Sequence, residues 1–122
     1  MLFRSKFWGS PITPTFLDWF FMAERGEEIR RYWNLIPKDT GVLITHGPPM
    51  GILDWVPRTY GEHHIGCLDL FDIVTHIKPK LHIFGHIHYS CGKQKLQDTT
   101  FINASCINEE YEVVNKPIVV NI

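Results

Sequence analysis

Two stretches decide the fold: Val42-Leu43-Ile44-Thr45-His46-Gly47-Pro48-Pro49 and Leu81-His82-Ile83-Phe84-Gly85-His86-Ile87-His88. Each is a short, mostly apolar run that stops at a glycine next to a histidine. A run of four residues bounded by turn formers reads as a buried strand. Two prolines after His46 forbid regular structure beyond it. In open α/β sheets, ligands gather in the crevice beyond the C-terminal ends of the strands. His46, His86 and His88 each sit there. Gly47 and Gly85 keep side-chain bulk away where a metal or phosphate must approach.

Working outward, residues 24–35 predict a helix, with Ile29, Tyr32, Trp33 and Ile36 recurring on one face and Glu27 and Glu28 ahead of Arg30 and Arg31. Residues 68–77 predict a second helix, with Leu70, Phe71, Val74 and Ile77 on one side and Pro79 after its end. Residues 3–8 read as an opening strand, and residues 99–103, 111–114 and 118–122 as later ones. Strand, helix, strand, helix and then several strands make an α/β chain with a mixed sheet and at least two helices.

With 122 residues the chain suits one domain or part of one. Its 44% hydrophobic content, with 4 Trp and 8 Phe, excludes a disordered tail. A net charge of -1 gives no bulk attraction to nucleic acid or acidic membranes. Lys78, Lys80, Lys93 and Lys95 are too interleaved with apolar residues to form a nucleic-acid face. The apolar patch at residues 16–23 holds Asp18 and is too short to cross a bilayer. Neither a signal peptide nor a membrane span is evident, so a cytoplasmic location is expected, with Cys67, Cys91 and Cys106 reduced. Asn103-Ala104-Ser105 matches a glycosylation acceptor by accident.

On an extended backbone, His86 and His88 would project to the same side with Cα atoms about 6.6 Å apart. Such a pair can reach different ions of a two-metal cluster, whose ions sit about 3.5–4 Å apart. Strand-end histidines can also cap backbone groups. Among the other histidines, His63 and His64 are expected to be solvated loop residues, His76 a surface residue and His82 a hydrogen-bonded core residue. Cys67, at a helix N-terminus, is expected to be structural. Cys91 is expected to line the candidate pocket or to be a buried small side chain, and Tyr89 to flank the pocket with a face on which a base could stack.

Thr45-His46-Gly47-Pro48-Pro49 followed by Gly85-His86-Ile87-His88 resembles the C-terminal half of the calcineurin-like metallophosphoesterases. Trp8-Gly9-Ser10-Pro11, Trp33-Asn34-Leu35-Ile36-Pro37, Gly51-Ile52-Leu53-Asp54-Trp55-Val56-Pro57 and Ile102-Asn103-Ala104-Ser105 narrow the likeness to the metallophosphoesterase-domain-containing subfamily, also called 239AB-like or UPF0046. The resemblance covers residues 1–122 in order and implies part of a four-layer αββα sandwich. It implies hydrolysis of phosphate esters, of the phosphodiesterase type, with nucleotides among the small-molecule substrates. It also implies two divalent ions (Mn, Fe or Zn), His46 and His86 ligating one and His88 the other. Asp54 would orient an imidazole from behind, or simply cap its loop.

The family's Asp-x-His, Gly-Asp and Gly-Asn-His do not occur among the 122 residues. No residue is therefore assigned as the catalytic acid or base, and the N-terminal half of the domain is expected to be absent. A second expectation stands beside hydrolysis: a non-catalytic remnant or interaction module holding one metal or none. A third is a mononuclear zinc site made by all three histidines and water. An uncovered partner face is expected to make the chain associate with itself or with an N-terminal half.

Overall fold

The computed structural model describes residues 5–57, 61 and 63–122. Phe3, at the start of the expected first strand, lies outside the described residues.

Among the described residues the strands and α-helices are, in chain order, β1 (Phe7–Ser10), β2 (Thr13–Pro14), β3 (Met22–Ala23), α1 (Glu27–Trp33), β4 (Val42–Thr45), α2 (Leu68–Ile77), β5 (Leu81–Phe84), β6 (Gly92–Leu96) and β7 (Thr99–Asn103). Five strands form one sheet in the order β1-β4-β5-β7-β6. The first four are parallel and β6 closes the edge antiparallel to β7. The fold is therefore α/β with a mixed sheet. β2 and β3 make a small parallel pair of their own.

Register runs straight across the sheet. Trp8 faces Leu43, which faces His82, which faces Phe101. Because side chains alternate along a strand, Thr45, Phe84 and Asn103 share that face. Ile29 and Trp33 of α1 and Leu70 and Val74 of α2 pack on it with Leu43, Phe84 and Phe101. Right-handed crossovers that step along a sheet in one direction put their helices on one side. The opposite face carries Val42, Leu81 and Ile102, covered by Ile118 and Val120 of the C-terminal tail. Ile44 and Phe7 on that face remain 43% and 63% exposed. Helices on one side and sheet beneath them make two of the four layers that the resemblance implies.

Local chemistry explains the element ends. α1 starts at Gly26 with φ 92°, a conformation suited to glycine, so the helix is shorter than its apolar pattern suggests. Arg30 on α1 pairs with Asp69 and Asp72 on α2, and Asp69 also accepts from the Gly26 N–H, 2.9 Å away. The Cys67 thiol caps α2, accepting from Leu70 N–H at 3.4 Å. Lys78 at φ 55° ends α2 ahead of Pro79.

Two expected strands are corrected. Residues 111–114 and 118–122 form no strand. Val113 makes one isolated bridge to Ile107, and the tail lays alternate apolar side chains on the sheet without joining its ladder. The apolar run after Thr15 stays outside the core: Phe16, Leu17, Trp19, Phe20 and Phe21 are all exposed. Among the described residues no helix is long and apolar enough to cross a membrane.

Candidate metal centre

β4 and β5 are neighbours, so the turns at their C-terminal ends lie side by side. The Gly85 N–H donates to the His46 carbonyl at 3.0 Å and locks one turn to the other. This brings His46 Nε2 within 3.2 Å of His86 Nδ1, with ring centroids 4.7 Å apart. Gly47 lies against this pair: a Cβ there would stand 3.8 Å from His86 Cδ2 and 3.6 Å from Thr13 Oγ1. A Cβ at Gly85 would meet Ser105 Oγ at 3.6 Å.

Burial lowers the pKa of both imidazoles, and His86 is lowered further by His46 and His88. Both rings therefore favour the neutral form, the one in which imidazole binds metals. Zinc–nitrogen bonds of about 2.0–2.1 Å at tetrahedral angles set two ligand nitrogens roughly 3.3–3.4 Å apart. The pair spans that separation within a few tenths of an ångström. Two facing nitrogens otherwise satisfy each other by one hydrogen bond, one donating and one accepting.

His88 does not join them. His86 has φ 70°, so the backbone between the two histidines is not the extended strand that would project both rings to the same side. His88 instead opens a short 3-10 turn, His88–Ser90. Its Nδ1 is shut from solvent and lies 3.3 Å from Glu109 Oε1, close but without hydrogen-bond alignment. His88, Tyr89, Asn108, Glu109 and Glu110 line a cleft of about 250 Å³. Among the described residues no group of three His, Cys, Asp or Glu side chains could hold a metal ion. All three histidines around one zinc is therefore not the arrangement seen. A catalytic zinc takes three protein ligands, and the His46–His86 pair by itself offers two.

Asp54 is fully buried and serves its own loop. Its Oδ2 accepts from Gly51 N–H at 2.9 Å and Gly66 N–H at 2.8 Å, and its Oδ1 lies 2.7 Å from His64 Nδ1. The imidazole behind which it stands is thus His64, not His46, His86 or His88. His64 is exposed, as expected of a solvated loop histidine, whereas His63 is half-buried. His63 stacks on Trp55 at 5.7 Å and bonds to the Val56 carbonyl through Nδ1 at 3.0 Å. Tyr89 meets Trp55 edge-on at 6.5 Å. His82 is a buried, hydrogen-bonded core residue, 2.9 Å from Thr45 Oγ1, and His76 is exposed.

Sequence reasoning missed three residues. Asn103 is buried and ties the loops at Leu53 and Ile87 to the end of β7, which also removes it as a glycosylation acceptor. Thr45 Oγ1 donates to the Gly47 carbonyl at 2.8 Å and closes the turn that carries His46. Glu109 reaches His88 from 21 positions along a tail with no periodic pattern, so no local signal marks it.

No family model matches the chain. Human and mouse proteins named metallophosphoesterase domain-containing protein 1 are each 43% identical over 118 residues, 96% of this chain and 36% of theirs. Two UPF0046 proteins of Caenorhabditis elegans are 42% identical over 99 residues and 36% identical over 122, covering 81% and 99% of this chain and 33% and 30% of those proteins. The chain spans about a third of the length of these relatives. A solved crystal structure matches 86% of the chain and 43% of its own length, at a TM-score of 0.52 and 21% identity, a likeness of fold.

Proposed function

Because the chain belongs to the family of metallophosphoesterase domain-containing and UPF0046 proteins, we propose that it supplies histidine ligands to a divalent-metal site for hydrolysing phosphodiesters, nucleotides among them. His46 and His86 would hold one ion, Mn, Fe or Zn, and His88 would face a second. The observation that carries this is the 3.2 Å approach of two imidazole nitrogens at adjacent strand ends, in surroundings that keep both rings neutral. When bound, such ions hold phosphate oxygens and lower the pKa of water. Gly47 would present no side chain beside the pair, and Tyr89 would offer an aromatic wall to the cleft beside His88. The remaining donors would come from a second copy or a longer polypeptide. Three free thiols suit a reducing compartment such as the cytoplasm.

A second reading, a non-catalytic module holding at most one ion, is favoured by the count of converging donors: two imidazoles and no third among the described residues. Hydrolysis of bis(4-nitrophenyl) phosphate by the purified chain with Mn²⁺, beside His86→Ala, separates the two. Turnover that the variant loses supports the hydrolase. A folded chain with no turnover and one metal equivalent or fewer supports the module. Light scattering on the same sample reports self-association.

A further inference from the structure

We propose that His82 is a positioning residue for His46, acting through the hydroxyl of Thr45. The proposal rests on the pairing of His46 with His86 as ligands.

His82 lies wholly buried in the middle strand, its ring 5.1 Å from Phe84 and 5.6 Å from Phe101. An apolar side chain of similar volume would fill that space without the cost of burying two ring nitrogens. The structure instead gives one nitrogen a use. Thr45 Oγ1 stands 2.9 Å from His82 Nε2 and 2.8 Å from the Gly47 carbonyl. A hydroxyl has one proton, and a carbonyl can only accept. Thr45 therefore donates to Gly47, and must accept from His82 Nε2–H. The tautomer of His82 follows: Nε2 carries the proton, and Nδ1, which has no partner, holds the lone pair.

The relay ends around His46. The Thr45-to-Gly47 bond spans from the residue before His46 to the residue after it. The His46 carbonyl is gripped by Gly85 N–H on the adjoining strand end. Two ties thus fix the backbone of His46, one from its own turn and one from the turn that carries His86. Without the imidazole donor, the Thr45 hydroxyl loses the partner that keeps its proton directed at Gly47. Burial holds the His82 pKa down at about 3, so the ring stays neutral and the relay keeps one direction at working pH. Outer partners of metal-binding imidazoles commonly change affinity by about 10–100-fold when removed.

Thr45→Val removes both hydrogen bonds at nearly constant shape, and Thr45→Ser keeps the hydroxyl. Nitrogen NMR of the imidazole rings in the metal-free chain reads the order of His46, and titration with Zn²⁺ reads affinity. We expect Thr45→Val and His82→Phe to broaden or shift the His46 ring signals and to weaken zinc about 10–100-fold, with Thr45→Ser close to the parent. If Thr45→Val folds and leaves the His46 signals where they were, the relay is wrong. Should Thr45→Val fail to fold, His82→Gln, which retains an amide donor, against His82→Phe gives the same decision. If the parent chain takes up no zinc, the metal reading fails, and the ring signals still decide the relay.

Discussion

The side-chain amide of Asn103 donates to the carbonyl of Ile87 at 2.8 Å, so the last residue of β7 holds the peptide between His86 and His88. The same nitrogen donates to Leu53 O at 3.0 Å, and Oδ1 accepts from Ser105 N–H at 3.1 Å. One buried amide therefore fastens three loops. Asn103→Leu should cost about 2–3 kcal/mol by leaving buried backbone groups unpaired. Asn103→Asp should cost more, because it turns two donors into lone pairs facing carbonyls. Urea unfolding of the two variants checks the order; an aspartate as stable as the parent would overturn it.

Asp54 and Gly66 form a second fastening whose parts separate cleanly. Asp54→Ala strips the partner from Gly51 N–H and Gly66 N–H and should cost about 2–4 kcal/mol. His64 contributes a side chain that is 54% exposed, and His64→Ala should cost under about 1 kcal/mol. A Cβ at Gly66 would fall on the Pro49 carbonyl group, which is backbone and cannot swing aside. Gly66→Ala should therefore lower stability by about 1–3 kcal/mol through overpacking. Thermal unfolding of the three variants gives the ranking, with His64→Ala the mildest.

Acid should destabilise the chain through His82. Its folded-state pKa of about 3 lies below the unbound value of 6.5, so the unfolded chain takes up a proton that the folded chain refuses. The sign follows: stability is fully present above pH 6.5 and falls as pH drops from there toward about 3. The slope is about 1 kcal/mol per pH unit for one such group. His46 and His86, also lowered by burial, add in the same direction. The melting temperature of His82→Gln, followed from pH 7 to pH 4, should fall less steeply than that of the parent. Parallel curves would mean that His82 takes its proton without unfolding.

Much of this was written plainly in the chain, and the reasons are local. β4, β5 and β7 are buried on both faces and survive in the sequence as short apolar runs, while α2 keeps one apolar stripe. Histidines after β4 and β5 marked the strand ends because parallel neighbours bring those ends together. β6 was invisible for the opposite reason: Gly92-Lys93-Gln94-Lys95-Leu96 is an exposed edge, paired through its backbone and carrying no apolar face. The tail misled because Ile118 and Val120 alternate as a strand would, yet cover the sheet without bonding to it. His86 and His88 misled through backbone conformation. Spacing by two implies one side only when the residues are extended, and His86 is not.

That left-handed His86 has a consequence for how the position tolerates change. At φ 70° a residue with a Cβ pays about 1 kcal/mol that glycine does not. His86→Gly should therefore be more stable than His86→Ala by about that amount, although both lose the imidazole. A lineage freed from any need for the ring would drift toward glycine or asparagine here, since stability alone pulls that way. At residue 86, then, the imidazole is carried at a cost in stability that glycine would not meet.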